Sequence, residues 1–284
     1  MSEPIALGPA DRRYPRRLLD LAHPPDPLWV RGDVAVARQR AVSIVGTRRA
    51  TSYGLRVARE LAAATAAAGI VVVSGLAQGI DSAAHEGAVE AGRTVGVLGA
   101  GIGAYLAQAS GRRRRLAAEI GRAGALVAEY PPDASAKDWM FARRNATIAA
   151  LGEAVVVVEA PEGSGALITA AEARRLRRPL FAVPGPIGVL ACAGSNALIA
   201  SGAARALTGS AMLLTLLGVG SAEDVRPTDR DAVRILDALA ASAADPDALA
   251  KRVGLAPAAL ARTLARLVLS GEVRACGDGR FARR

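Results

Sequence analysis

The fold is decided by residues 41–99, which read AVSIVGTRRATSYGLRVARELAAATAAAGIVVVSGLAQGIDSAAHEGAVEAGRTVGVLG. Short apolar runs at 41–47, 70–75 and 94–99 predict strands, and stretches of helical periodicity separate them. Strands that are apolar throughout and alternate with helices are typical of a parallel sheet covered on both faces.

The alternation continues along the chain. Further strands are predicted at 125–130, 154–160 and 179–185, and further helices at 112–123, 145–151 and 166–177. The predicted fold class is therefore α/β, with an extended Rossmann-like, doubly wound parallel sheet and a small C-terminal winged-helix domain.

Four segments are predicted. A Pro-rich and Arg-rich lead-in at 1–40 precedes a Rossmann-like domain at 41–210, and a linker follows at 211–227. The tail at 228–284 contains three helical segments and a hairpin around a Gly-Asp-Gly turn, which is the pattern of a winged helix.

The composition points to a polyanionic partner. The formal net charge is +10, from 36 basic and 26 acidic residues, and such an excess favours polyanions. Aromatic residues make up only 3%, so contacts to nucleic acid would rely on arginine and backbone amides. Cys192 and Cys276 lack metal-ligand spacing, so neither a zinc site nor a disulfide framework is predicted. No membrane span or signal pattern is recognised, so a cytoplasmic protein without membrane contact is expected.

In a doubly wound sheet, ligands bind where the strands end. The first predicted strand ends at Gly46, Thr47 and Arg48. The glycine allows close backbone approach, the threonine offers an amide and a hydroxyl, and the guanidinium is suited to phosphate. The alternative is that this loop only makes a tight turn.

The second predicted strand ends in a glycine loop that contains Ser74, Gly75 and Gly79. Free amides and the dipole at the start of the following helix favour an anion there. Tight turns are again the alternative. No GxGxxG fingerprint or P-loop occurs in the sequence, so neither NAD nor ATP is expected and no cofactor is predicted.

Another candidate motif is Phe141, Arg143, Arg144 and Asn145, placed just before a predicted helix. An aromatic ring with guanidiniums is suited to stacking a base and gripping a phosphate. The alternative is a solvated helix start with Asn145 as its N-cap.

Other polar groups have two interpretations each. His85 and Asp81 are four residues apart and form either a base with its orienting carboxylate or a packed or capping pair. Glu159 after the fifth strand either bonds a ligand or orders the loops. The arginine run at 112–115 is either a solvated face or a contact to a DNA backbone.

In this order, the motifs resemble the bacterial DNA-processing protein A family, also called Smf. The matching stretches are PLWVRG (27–32), IVGTRRATSYG (44–54), VVSGLAQGIDSAAHEGAVEAGRTVGVLGAGI (72–102), GALVAEYPP (124–132), FARRN (141–145), VVVEAPEGSGALITAAEA (156–173), FAVPGPI (181–187) and GSNALIASGA (194–203). The resemblance implies a non-enzymatic protein that binds single-stranded DNA, protects incoming DNA during natural transformation and loads the RecA recombinase. It also implies a homodimer formed through the Rossmann-like domain.

By position, the resemblance implies DNA contacts at the three motifs above: Arg48 after the first strand, Ser74, Gly75 and Gly79 in the second loop, and Phe141, Arg143, Arg144 and Asn145. Three departures are evident. Ala146 replaces an arginine that usually follows Arg-Asn, Tyr105-Leu106 stands where Tyr-Pro is usual, and Ala128 stands where serine is common. Loss of a guanidinium from a phosphate contact would cost roughly 1–3 kcal/mol.

Two alternative functions remain open. One is an enzyme similar to nucleotide phosphoribohydrolases, with EAPEGSG at 159–165 as a degenerate phosphate loop and Glu172 as the candidate acid. The other is a transcription regulator whose winged helix reads duplex DNA through Arg262 and Arg266. The tail has few other base-reading side chains, so it slightly favours a protein-interaction module.

Overall fold

The computed structural model describes four ranges of the chain: 3–219, 230–269, 272–276 and 279–283, without the side chains of 230, 241, 258, 262, 266 and 269. The chain divides into two compact units between Val219 and Gly220. Each unit is described by itself.

A nine-stranded sheet forms the centre of the first unit, in the order β1-β2-β6-β5-β4-β3-β7-β8-β9. The strands from β3 to β9 run parallel to their neighbours, and β2 is antiparallel to both β1 and β6. The strands are β1 Ile5–Leu7, β2 Leu28–Gly32, β3 Ala41–Val45, β4 Val71–Ser74, β5 Thr94–Leu98, β6 Ala125–Ala128, β7 Ala154–Val157, β8 Leu180–Ala182 and β9 Arg205–Ala206. The mostly parallel sheet confirms the predicted α/β class.

Helices cover both faces of this sheet. They are α1 Ser52–Ala67, α2 Ile80–Ala88, α3 Ile102–Gln108, α4 Gly111–Ala123, α5 Asp138–Leu151, α6 Gly165–Arg175, α7 Ala193–Ala200 and α8 Ser210–Leu216. Alternate residues of a strand face opposite sides of a sheet. Accordingly, Val72 packs in the core under α1, α2 and α8, whereas Val71 and Val73 pack in the core under α5 and α6.

The N-terminal segment is part of the sheet, which corrects its prediction as a separate lead-in at 1–40. In β2, Val30 pairs with Val127 of β6, and β1 pairs with β2. Tyr14 and Leu18 are buried in the same core as the strands. The proline-rich sequence indicated an extended chain, but its partner strand lies so far along the sequence that no local pattern could reveal the pairing.

The first unit also includes residues that had been predicted as linker. Helix α8 begins at Ser210 and extends into the predicted linker at 211–227. Its Leu213, together with Leu217 just beyond it, is buried in the core that contains α1. Leucines four residues apart share one helix face, so this segment packs on the domain. The remainder of the predicted linker, 220–229, lies outside the described residues.

The second unit has the winged-helix arrangement that the tail predicted. Three helices, α9 Arg230–Ala241, α10 Pro246–Val253 and α11 Pro257–Leu269, precede a hairpin of β10 Val273–Ala275 and β11 Phe281–Arg283. Ile235, Leu249 and Leu264 are among the residues of its core. Asp245 caps α10 by accepting a 2.8 Å hydrogen bond from the Ala248 N–H, as the Asp-Pro sequence favours.

Across the described ranges, no helix combines the length and the apolar character needed to cross a membrane.

Candidate nucleic-acid interface

The sheet has a switch point at β3, which lies between β4 on one side and β7 on the other. A cleft of about 500 Å³, called here the first cleft, opens beyond the ends of β3 and β7. It is lined by the loop from Gly46 to Arg49, by α5 and by the loop at 161–165. The switch point is where doubly wound sheets bind ligands, so the first cleft lies where the sequence places the site.

A second cleft of about 270 Å³ lies beyond the ends of β4 and β5. Its polar and aromatic lining residues are Arg48, Gln78, Tyr105, Gln108, Arg113, Phe141 and Arg144. The lining contains three guanidiniums, two aromatic rings and two amides, and it includes no carboxylate. This combination is suited to a phosphate next to an unpaired base. The first cleft is more mixed, because Asp138 and Glu162 also line it.

Arg48 links the two clefts, because its side chain lines both. The residue is exposed, and its guanidinium carbon lies 5.8 Å from the centre of the Phe141 ring. Within the described part of the chain it forms no ion pair. A guanidinium that lies over an aromatic face and is open to solvent can bind a phosphate.

The glycine loop after β4 already holds a carboxyl group that belongs to the protein. Asp81, in the first turn of α2, is buried, and its Oδ2 accepts a 3.2 Å hydrogen bond from the Gly75 N–H. Burial raises the pKa of Asp81, and the nearby Arg144 together with the amides of Ala77 and Gly46 opposes that effect. The amides predicted to cradle a phosphate are therefore used to fasten the β3 and β4 loops together.

Two glycines of this loop are required by close packing. Gly79 has a φ of +87°, and a Cβ there would overlap the Thr47 carbonyl oxygen. A Cβ on Gly75 would overlap the guanidinium of Arg144 and come within 2.7 Å of Asp81 Oδ2. Ser74 is fully buried and its hydroxyl donates a 2.6 Å hydrogen bond to the Ile44 carbonyl, so it holds the sheet and does not face either cleft.

Arg144 is the buried guanidinium of the site, with 5% of its surface exposed. Its Nη1 donates hydrogen bonds to the carbonyls of Gly75 and Val97, 3.1 Å away in the second case, and so ties the ends of β4 and β5 to α5. Its buried Nε has no hydrogen-bond partner in the structure. Burial lowers the pKa of Arg144, and the nearby Asp81 opposes that effect. Arg144 therefore mainly holds β4, β5 and α5 together, and its unbonded Nε lies between the two clefts.

The motif at 141–145 lies inside α5, which begins at Asp138 after Lys137, so the prediction that it precedes a helix with Asn145 as N-cap is wrong. The helical backbone turns successive side chains in different directions. Phe141 faces both clefts. Arg143 lines neither, and its Nε instead pairs at 2.8 Å with Glu129 Oε2.

The remaining predicted contacts lie at the first cleft. Asn145 lines it, and its side-chain amide donates a 3.2 Å hydrogen bond to the Gly165 carbonyl. Thr47 lines it as well, although its hydroxyl accepts from the Arg49 N–H and its own N–H donates to the Glu159 carbonyl at 2.7 Å. These contacts make Thr47 and Asn145 organisers of the cleft wall.

Ala146, which replaces an arginine usual in the resembled family, lies outside both clefts. It packs against the core under α5 and lines neither cleft. We therefore do not expect this replacement to remove a phosphate contact from either cleft.

The contacts of Glu159 show which of its two predicted roles the structure supports. It is fully buried, and its carboxylate accepts hydrogen bonds from the Thr51 N–H at 2.9 Å and the Thr51 hydroxyl at 2.5 Å. Thr51 is the N-cap of α1. Glu159 therefore orders the start of α1 and is not presented to a ligand.

His85 is a core residue, so the base-and-orienter interpretation is wrong. Its side chain is fully buried, and its Nδ1 lies 2.7 Å from Thr94 Oγ1. Burial lowers the pKa of His85 from 6.5 to about 3. The ring is therefore neutral at physiological pH and is kept away from both clefts.

The lowered pKa of His85 predicts a pH dependence of stability. Between pH 6.5 and about 3 the unfolded chain binds a proton that the folded chain does not, so its contribution is complete above pH 6.5 and is lost as the pH falls. The slope reaches about 1.4 kcal/mol per pH unit. Urea unfolding between pH 7 and 4 should show that His85→Gln removes this slope and that substitution of the exposed His23 does not. An unchanged slope in His85→Gln would contradict the assignment.

Sequence reasoning did not single out Gln78 and Gln108 as site residues. It noted Arg113 only as part of the arginine run at 112–115 and Tyr105 only as a departure from the family pattern. They come together because the loop after β4, helix α3 and the start of α4 meet at the second cleft. The available signal was the glycine-rich exit of the third predicted strand. Burial raises the pKa of Tyr105, so its phenol remains a hydrogen-bond donor.

The groups on which the alternative functions depend lie elsewhere. Glu172, the candidate acid of an enzyme, pairs with Arg175 at 2.6 Å and lines neither cleft. The second unit has its own groove of about 330 Å³ between α10, α11 and the hairpin. Its lining is apolar apart from Asp247, so this groove is not a phosphate-binding surface. The side chains of Arg262 and Arg266 lie outside the described residues.

Together, a Rossmann-like domain with arginine-lined clefts at its strand ends and a winged-helix tail define a two-domain α/β protein of the nucleotide- or nucleic-acid-binding type. Residues 6–217 match the model of the DNA recombination-mediator protein A family, and residues 220–279 match the DprA winged helix domain. The chain belongs to the DNA recombination-mediator protein A family.

Curated relatives agree with this assignment. The chain is 39% identical over 273 residues to a putative DNA processing protein DprA of Mycobacterium tuberculosis, covering 91% of this chain and 69% of the relative. It is 36% identical over 237 residues to the protein Smf of a Synechocystis species, covering 80% of this chain but only 59% of the relative.

Two solved structures share the fold of the first unit. DNA processing protein A from Streptococcus pneumoniae has a TM-score of 0.69 and 31% identity, over 75% of this chain and 74% of that one. The protein from Helicobacter pylori, described for its single-stranded DNA binding mode, has a TM-score of 0.67 and 27% identity, over 75% of this chain and 95% of that one.

Proposed function

We propose that this chain binds single-stranded DNA through the first and second clefts. The observation that carries the proposal is the lining of the second cleft, where three guanidiniums surround two aromatic rings without a carboxylate. The H. pylori relative, described for its single-stranded DNA binding mode, supports the choice of ligand. Arg48, Arg144 and Phe141 are placed to hold a phosphate and a base together, and Gly46, Gly75 and Gly79 keep the supporting loops close.

The preference for single strands has a physical reason. A base reaches the Phe141 and Tyr105 rings only if it is unpaired and unstacked, and a cleft of about 270 Å³ has no room for a base pair with its two backbones. Most of the net positive charge also belongs to residues 1–219 and not to the winged helix. The Rossmann-like domain is therefore the DNA-binding unit of the proposal.

A salt titration with matched oligonucleotides tests this function. Fluorescence anisotropy with labelled oligo-dT of about 20 nucleotides should give a Kd below about 1 µM at low salt, and log K should fall linearly with log salt. A duplex of the same length should bind more weakly. Absence of single-strand binding at low salt would refute the proposal, and tighter duplex binding that requires residues 228–284 would favour the regulator.

We further propose that the bound strand is protected and passed to RecA recombinase, as membership of a recombination-mediator family implies. A mediator should accelerate RecA assembly on single strands that are already covered by a single-strand-binding protein. The rate of DNA-dependent ATP hydrolysis by RecA measures this assembly. An unchanged lag with a fully DNA-binding protein would contradict mediation while leaving DNA binding intact.

A homodimer through the Rossmann-like domain is also proposed. The segment between β8 and α7 exposes Ile187 completely and Leu190 by 81%. Adjacent exposed aliphatic side chains are typical of protein interfaces. The double variant Ile187→Asp, Leu190→Asp should sediment as a monomer, whereas Leu19→Asp, an exposed leucine elsewhere, should not change the mass. A wild-type monomer, or a double variant that remains dimeric, would refute this interface.

A further inference from the structure

A third cleft, of about 630 Å³, adjoins the second, because Arg48, Gln78 and Arg113 line both. Its walls come from α1, α2 and the start of α4. It contains no aromatic side chain, and five of its lining residues are arginines, namely Arg48, Arg49, Arg59, Arg112 and Arg113. A surface of this kind is suited to a chain of phosphates and not to bases.

The positive charge of the third cleft is only partly neutralised. Glu86 is the single carboxylate in its lining, and it is shared by Arg59 at 2.8 Å and Arg112 at 2.6 Å. Arg48, Arg49 and Arg113 have no ion pair with any described residue. The folded protein thus keeps an uncompensated cationic surface next to the second cleft.

The start of α4 adds to this imbalance. Arg112 to Arg115 occupy its first turns, no acidic residue is present there, and the Ser110 side chain makes no capping hydrogen bond. Cations near a helix N-terminus are opposed by the helix dipole. This arrangement costs the isolated helix stability, and a bound polyanion would relieve the repulsion.

A separate observation points to an anion at the junction with the second cleft. Arg144 lines that cleft, is 95% buried, and carries an Nε that has no hydrogen-bond partner among the described residues. An anion there would already bring the negative strand to Arg113, which belongs to both clefts.

We propose that the DNA strand leaving the second cleft runs through the third cleft, where Arg59 and Arg112 contact successive phosphates. The proposal rests on the single-stranded DNA binding proposed above and extends it with a path and a role for Glu86. Because the third cleft has no base-reading groups, its contribution to the binding affinity is independent of sequence. This contribution appears only with strands long enough to extend beyond the second cleft.

The test compares two double variants with equal loss of charge. Arg59→Gln with Arg112→Gln removes arginines that line the third cleft, and Arg114→Gln with Arg115→Gln removes exposed arginines of the same helix that line none of the three clefts. Binding is measured with oligo-dT of about 6 and about 20 nucleotides.

The first double variant should weaken binding of the longer strand by about tenfold and lower its salt slope by about 1.4, the value for two phosphates of a single strand. It should leave the shorter strand unchanged, and the second double variant should change neither. Equal effects of both variants on the longer strand, or an equal loss on the shorter strand, would overturn the path. Absence of binding by the unmodified protein would instead remove the underlying function.

Glu86→Gln gives a result that misfolding cannot imitate. Removal of the shared carboxylate frees Arg59 and Arg112, so binding of the longer strand should tighten by about threefold or more and its salt slope should rise. An affinity that is unchanged or weakened would contradict the proposed path through the third cleft.

Discussion

Replacement of Arg48 by alanine is expected to weaken binding of single-stranded DNA by about 2–3 kcal/mol, or about 30- to 150-fold. Arg48 lines all three clefts and is exposed, so its removal takes one charged donor from every part of the proposed path. It also uncovers the Phe141 ring, over which its guanidinium lies at 5.8 Å. Anisotropy titrations at constant low salt measure the loss.

The control for Arg48 is another exposed arginine with the same charge. Arg114→Ala, in α4 and outside the three clefts, should change the affinity by less than about twofold, because distant surface charges are largely screened. The unfolding midpoints of both variants should match the unmodified protein, since neither side chain has an ion pair among the described residues. Equal losses for Arg48→Ala and Arg114→Ala would mean that binding depends on overall charge and not on the clefts.

Replacement of Arg144 by methionine is expected to lower the free energy of unfolding by about 3 kcal/mol or more. The substitution removes hydrogen bonds to the Gly75 and Val97 carbonyls and leaves the buried Asp81 carboxylate without its nearby cation. Removal of one partner from a buried charge arrangement leaves the other charge uncompensated, which is costly. Urea unfolding should show a lower midpoint with an unchanged m-value.

Two companions make the Arg144 result specific. Arg143→Met, at the adjacent position of the same motif, should lower the free energy of unfolding by about 1 kcal/mol or less. The reason is that the Arg143 side chain, which pairs with Glu129, is 49% exposed to solvent. The double variant Arg144→Met, Asp81→Asn should cost less than the sum of its parts, because the neutral amide no longer needs a cation. Additive losses would show that Asp81 and Arg144 do not act together.

These contrasts explain which features of the site were accessible from the sequence. Strand ends at Gly46 and Gly75 were predicted because β-branched apolar runs and the glycines that end them are local signals. The position of Arg48 followed directly, since the first residues after a parallel strand lie at the binding edge of the sheet. The winged helix was equally local, with Asp245 and Pro246 marking the start of α10.

Other features depended on contacts between distant parts of the chain. The sequence treated Arg143 and Arg144 alike, but in a helix successive side chains point about 100° apart, and only the packing of α5 on the sheet decides which is buried. The sequence predicted an anion at the glycine loop, but the Gly75 amide there already donates to the buried carboxyl of Asp81. The group that occupies such a loop is decided by competition within the folded chain.

Local periodicity was therefore sufficient for the six strands from β3 to β8 and for the edge of the sheet at which they end, because each depends on residues only a few positions apart. Tertiary structure alone decided that the N-terminal segment completes the sheet, that Asp81 and Arg144 support the site from inside, and that Tyr105 and Arg113 line the second cleft. Those outcomes depend on which surfaces meet after folding, and burial assigns each charged group either to the core or to the open clefts.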